Sequence, residues 1–278
     1  MNPSSHYRVC QGRELHYTEW GAQHSEVVLA WHGLARTRRD IDDIAAHLAS
    51  RYRVICPDAL GRGLLQWSPL PDQEYPLSFY AAQALALRDP LGIAQCHWLG
   101  TSMGGAIGLH AAAGALAGRI QRLVMNDIGP ELAAPAVARI RSDAGSPAAF
   151  ATVSELEAYF RRIYPPYGAL SEAQWRRLTE TRVRHLPDGR VTPHYDPAML
   201  RQFEAHPADY DQWPAWDALQ IPVLVLRGAH SDLLLPDVAE AMRNRGPRAV
   251  VVTLPGCGHA PALNTPALFA LVERFFKA

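Results

Sequence analysis

Short, nearly continuous apolar runs that end in turn residues, separated by segments of helical spacing, constrain this chain more than any other feature. "VVLAWHG" (27–33), "YRVICPDA" (52–59), "QCHWLG" (95–100), "IQRLVMNDIGP" (120–130), "PVLVLRGAHSD" (222–232) and "AVVVTLPGCGH" (249–259) all have this form. A strand covered on both faces has no reason to alternate polar and apolar residues, so such runs point to a sheet buried on both sides. Between them, 40–50, 78–92, 103–118, 236–245 and 265–277 carry helical spacing. Acidic residues open the first of these helices, and Pro236 sits at the first turn of the fourth. "ELHYTEW" (14–20) alternates like a strand. Strand-helix alternation implies a mostly parallel α/β sheet with helices on both faces.

The alternation stops after Pro130 and resumes near residue 217. From Glu131 to Trp216 the pattern is helices and loops without a convincing buried strand, and "TVSE" (152–155) and "SEAQ" (171–174) fit capping boxes. The expected organisation is therefore a core of 1–130 and 217–278 interrupted by a helical insertion at 131–216. Trp213 and Trp216 are expected to anchor the return of the insertion to the sheet. Its aromatic residues, Tyr159 and Tyr164 among them, are expected to line a pocket and to build a small core of their own.

Active sites in such sheets form beyond the carboxyl ends of the strands. Four exits there carry useful groups: His32-Gly33-Leu34-Ala35, Thr101-Ser102-Met103, Ala229-His230-Ser231-Asp232 and Cys257-Gly258-His259. The pattern Gly100-x-Ser102-x-Gly104 alone decides little, since roughly one chain in ten of this length would hold it by accident. In company with the other exits it acquires a chemistry. A Ser hydroxyl is a poor nucleophile unless a base lies within hydrogen-bond reach. His259 supplies an imidazole, and a carboxylate behind it would fix the tautomer and stabilise the cation. Asp232 is the expected carboxylate, with Asp127 in "MNDIGP" as its rival at the end of the sixth strand. Backbone N–H groups of Leu34 and Met103 are placed to hold an oxyanion. The glycines allow a sharp turn that projects Ser102 at a helix N-terminus, and the chain order Ser, Asp, His fits.

With these residues the sequence resembles the α/β-hydrolase superfamily, in the branch with a helical lid inserted after the sixth strand. "HGLA", "PDALGRG", "GTSMGG", "LVLRGAHSDLL" and "PGCGHAP" carry the resemblance, in the family's order. It implies an α/β-hydrolase fold, a Ser102-Asp232-His259 triad and a small-molecule ester substrate, with no metal or organic cofactor. Related dehalogenases and epoxide hydrolases place Asp where this chain has Ser102. Carbon-carbon hydrolases of ring-cleavage diketones usually have Asn before the nucleophile and Trp after the catalytic His, where this chain has Thr101 and Ala260. Carboxylic-ester hydrolysis, extending to lactones or polyester fragments, is the expected activity. Carbon-carbon cleavage, acyl transfer and low-turnover ligand reception on the same fold are the alternatives.

Contacts to substrate are expected from His32, Gly33, Thr101, Tyr159 and Tyr164, with His32 chiefly shaping its loop. Asp58 is expected to bond turn N–H groups. Arg36, Arg38 and Arg39 could meet an acidic substrate, but a solvated helix approach is the plainer reading. His97 and His110 are expected to pack. The 27 basic residues balance the 27 acidic ones, and nothing steers the chain toward nucleic acid or a membrane surface. The four cysteines are scattered, no signal-peptide or membrane-length apolar run is seen, and a cytoplasmic protein is expected.

Overall fold

The computed structural model describes residues 2–278. Its main sheet has eight strands: β1 (Ser4–Cys10), β2 (Arg13–Trp20), β3 (Val27–Trp31), β4 (Arg53–Pro57), β5 (Cys96–Thr101), β6 (Ile120–Asn126), β9 (Val223–Gly228) and β10 (Val250–Leu254). Their spatial order is β1-β2-β4-β3-β5-β6-β9-β10. β1 pairs antiparallel with β2 and β2 with β4, while every pairing from β4 to β10 is parallel. The chain therefore has the mostly parallel α/β sheet that the apolar runs imply, in the α/β-hydrolase architecture that the resemblance leads one to expect. β1 escaped the sequence pattern because it is an exposed edge strand with little to bury. The turn that sets it is legible, since Gln11 and Gly12 both take positive φ, 55° and 72°, as a tight hairpin requires.

Each central strand feeds two cores. Leu29 and Trp31 of β3 face one cluster and Val28 and Ala30 the other, which is the two-residue period of a strand expressed on both faces. The helices are α1 (Asp42–Leu48), α2 (Pro71–Glu74), α3 (Leu77–Arg88), α4 (Met103–Ala113), α5 (Ala134–Gly145), α6 (Val153–Ile163), α7 (Glu172–Glu180), α8 (Gln202–Ala205), α9 (Trp213–Ala218), α10 (Pro236–Asn244) and α11 (Pro266–Lys277). α3, α4 and α10 contribute Tyr80, Ile107 and Met242 to the first core. α1 and α11 contribute Ile44 and Phe276 to the second.

The segment between β6 and β9 holds α5 to α9 and has a cluster of its own, built on Leu156, Phe160, Trp175 and Leu178. Ser171 and Gln174 form the full capping box, whereas Thr152 caps Glu155 without the reciprocal bond. A small hairpin, β7 (Val183–His185) with β8 (Val191–Pro193), corrects the expectation of helices and loops without a convincing buried strand, since β8 is buried throughout. Its Asp188-Gly189 pair, with Gly189 at φ 86°, is the turn signal that could have found it. Trp216 is fully buried, and its Nε1–H donates to the Arg245 carbonyl at 3.0 Å. The last helix continues to Ala218, slightly past the expected end of the segment. Among the described residues no helix is long and apolar enough to cross a membrane, and all four cysteines are buried and unpaired.

His97 lies in β5 with its ring stacked on Phe276, 4.8 Å between centroids. Burial, reinforced by the nearby Arg122, lowers its pKa to about 4. The ring is thus neutral when folded, and the unfolded chain takes up the proton first as pH falls. The stability it contributes is complete above pH 6.5 and is lost on descent toward pH 4. His97→Phe keeps the stack and removes the titration. Urea unfolding at pH 7 and pH 5 should show the wild type losing about 2 kcal/mol more than this variant.

Candidate active site

The site is assembled at the carboxyl ends of β3, β5 and β6, with His259 arriving from the loop beyond β10. Ser102 follows β5 directly and N-caps α4 with φ 52° and ψ −120°, a conformation costly for a residue with a Cβ and held here by its surroundings. Its N–H donates to the Asn126 carbonyl at 2.9 Å, which ties the turn to the neighbouring strand. The glycines make the turn possible. A Cβ at Gly100 would lie 2.2 Å from the Gly104 carbonyl, and one at Gly104 would lie 2.2 Å from the Trp31 carbonyl oxygen. The start of α4 thus rests directly on the backbone of β3 and β5.

Ser102 Oγ is 2.9 Å from His259 Nε2. His259 Nδ1 is in turn 2.8 Å from Asp127 Oδ2. The carboxylate against the imidazole is therefore Asp127, and the expectation of Asp232 is corrected. Asp127 is the first residue beyond β6, and β6 is the direct neighbour of β5, whereas β9 lies one strand further out. Asp232 turns instead to solvent, about half exposed, and pairs with Arg139 of α5 at 2.7 Å. The loop after β9 still serves the site, through Ser231. Its hydroxyl donates to Asp127 Oδ2 at 2.6 Å, and the Gly228 N–H donates to Oδ1 at 2.7 Å. Asp127 is fully buried, so these donors take the place of water around the charge.

A cavity of about 460 Å³ opens beside Ser102 and His259. Leu34 and Met103 reach it from the core, as do Tyr159 and Tyr164 from the inserted segment. The Met103 amide is the first N–H of α4, one of those a helix leaves without an internal acceptor. Three of the expected substrate contacts do not line this cavity. His32 is fully buried and bonded at both ring nitrogens, 2.8 Å to the Gly33 carbonyl and 2.9 Å from the Ala59 N–H. Burial lowers its pKa to about 4, so the neutral ring ties the loop after β3 to the turn after β4. Thr101 is buried, and its Oγ1 accepts from Asn126 Nδ2 at 3.1 Å. Gly33 packs against Arg36 and Ser102, 3.3 Å and 3.5 Å from the place a Cβ would take.

Asp58 bonds turn N–H groups as expected, from Arg38 and Leu64, and also holds His16 and the Arg38 guanidinium. Leu64 contributes only its N–H there, and its side chain is exposed.

Comparisons with known proteins bear on the family and the fold. A family model described as "Alpha/beta hydrolase family" matches residues 27–271. A 3-hydroxybutyrate-oligomer hydrolase of Cupriavidus necator is 38% identical, over 94% of this chain and 92% of its own. A 2-(acetamidomethylene)succinate hydrolase of Mesorhizobium japonicum is 26% identical, over 84% of this chain and 81% of its own. An alpha/beta hydrolase of Novosphingobium aromaticivorans superposes with a TM-score of 0.88 at 33% identity, over 99% of this chain and 98% of the other.

Gly104→Ala tests the packing that positions the turn. The added methyl meets carbonyl groups that cannot step aside, and the thermal unfolding midpoint should fall by the equivalent of about 3 kcal/mol.

Proposed function

This chain belongs to the alpha/beta hydrolase family, and on that premise we propose that it cleaves carboxylic esters with Ser102 as nucleophile. The observation that carries the reading is the unbroken relay from hydroxyl to imidazole to buried carboxylate, at 2.9 Å and 2.8 Å, on the wall of a cavity. With Nδ1–H donated to Asp127, Nε2 of His259 is free to accept the Ser102 proton. Ser102 Oγ then adds to the ester carbonyl. The N–H groups of Leu34 and Met103 receive the oxyanion, each worth about 3 kcal/mol or more in the transition state. Return of the proton from His259 expels the alcohol and leaves an acyl-enzyme. Water, deprotonated by the same imidazole, adds to that acyl group and releases the acid and Ser102. Asp127 remains a carboxylate throughout and stabilises the transient imidazolium.

The segment 131–216 acts in this reading as a lid, with Tyr159 and Tyr164 shaping the acyl pocket. The likeness to the 3-hydroxybutyrate-oligomer hydrolase supports short oligoesters of hydroxy acids as the substrate class.

The test is turnover with three variants. Release of p-nitrophenol from short-chain esters should vanish in Ser102→Ala, as should mass labelling by a fluorophosphonate. Asp127→Asn should lose on the order of 10⁴-fold in kcat, while Asp232→Asn stays within a few-fold, since it removes only a half-exposed ion pair. A protein that takes the label but turns over no ester would instead be a receptor. Full activity in Ser102→Ala would remove the nucleophile.

A further inference from the structure

The loop after β3 places a cation where a simple ester would not need one. Arg36 lines the cavity that holds Ser102, and its residue is nine-tenths buried. Its Cδ and Nε lie 3.3 Å and 3.4 Å from the point a Gly33 Cβ would occupy, and Ser102 Cβ lies 3.5 Å from the same point. Nε of Arg36 is thus no farther from Ser102 Cβ than the sum of two such contacts. Its face is held by the Tyr167 ring, 3.8 Å from guanidinium carbon to centroid.

The charge around it is unbalanced. Among the described residues the one carboxylate that Arg36 reaches is Asp40, and that contact is long, 3.4 Å. Both Asp40 oxygens already accept from Arg182, whose side chain is only 3% exposed. Even so, Nε and NH1 of Arg182 remain without an acceptor. Two buried guanidinium groups therefore share one carboxylate. The neighbouring acids are committed elsewhere: Asp42 to Arg39, Asp43 to Arg177, and Asp58 to Arg38 and His16. At the rim of the cavity the balance reverses, because Arg139 faces both Asp143 and Asp232. A buried charge short of acceptors is costly unless something supplies them.

We infer that Arg36 is the anion subsite of this cavity and takes the free carboxylate of an acidic ester, such as the terminal carboxylate of a hydroxy-acid oligomer. The inference rests on the ester-hydrolase reading and adds the polarity of the substrate to it. In an ester of a 3-hydroxy acid the free carboxylate lies four bonds from the scissile carbonyl carbon, roughly 5 Å on ordinary bond lengths. That span suits a guanidinium this close to Ser102. The acidic rim turns the same carboxylate away from the mouth and toward Arg36.

Two measurements test it. The first compares kcat/KM for the 3-hydroxybutyrate dimer and for its methyl ester, in wild type, Arg36→Lys and Arg36→Met. Wild type should favour the free acid by about tenfold or more, the preference expected of a charge-assisted bond. Arg36→Met should bring the ratio close to one, and Arg36→Lys should keep an intermediate ratio. A wild-type ratio near one overturns the inference. So does an equal loss on both substrates in Arg36→Met, which is what a purely packing role against Tyr167 would give. The second measurement is calorimetric binding of 3-hydroxybutyrate to Ser102→Ala with and without Arg36→Met. Binding should weaken about tenfold or more without the guanidinium, and equal binding again overturns the subsite. Because the second readout needs no turnover, a protein that binds the anion through Arg36 yet cleaves no ester would sink the hydrolase reading and leave the subsite standing.

Discussion

The buried carboxylate of Asp127 is the interaction on which the rest of the site depends. Removed from water, it is tolerable only because Gly228, Ser231 and His259 each donate a hydrogen bond to it. Those three donors come from the end of β9, the loop beyond it and the loop beyond β10. Satisfying one charge thereby fixes the spacing of three chain segments and the orientation of the imidazole. The Ser102 turn is fixed independently, by glycine-to-backbone packing on β3 and β5 and by its own bond to Asn126. The two halves meet at the hydrogen bond between Oγ and Nε2 and again at Asn126, the neighbour of Asp127, whose amide donates both to Thr101 Oγ1 and to the Pro261 carbonyl.

The sequence made the sheet, the hydroxyl and the imidazole legible because each follows from a local rule. Buried parallel strands are written as apolar runs, and Gly100 and Gly104 mark a turn that no larger side chain could enter. The carboxylate was harder, because choosing between Asp127 and Asp232 needs the lateral order of strands, which no local pattern encodes. Ser231 sat beside the chosen Asp232 and went unnoticed, since a hydroxyl that supports a carboxylate has no spacing signature. The loop histidine shows the same limit from the other side: His32 was expected to shape its loop and does, yet only the fold reveals that both of its nitrogens are occupied and that it lies outside the cavity. The elements missed outright, β1 and the β7–β8 hairpin, are short or exposed, and only their turns were readable.

Arginine placement shows how burial changes the meaning of a residue type. Arg36, Arg38 and Arg39 are close in sequence and look alike there. In the fold Arg39 is part-exposed and bonded to Asp42, and Arg38 is absorbed by Asp58. Arg36 alone of the three reaches the cavity. A run of cations at a helix approach thus divides into a surface pair, a structural brace and a group with unspent hydrogen-bonding capacity.

The inserted segment leaves the sheet after β6 and comes back at β9, and these two strands are direct neighbours. The chain therefore departs and returns through one narrow gate, and everything between is a detour from the sheet, even though Tyr195, Met199 and Trp216 of that stretch also pack into the first core. Rewriting the detour would leave the donors around Asp127 and the glycine contacts under Ser102 in place, while remaking the walls that Tyr159 and Tyr164 supply. One part of the cavity wall can in this way diverge apart from the stretches that hold Ser102 and Asp127, while the share supplied by Leu34, Arg36 and Met103 stays tied to them.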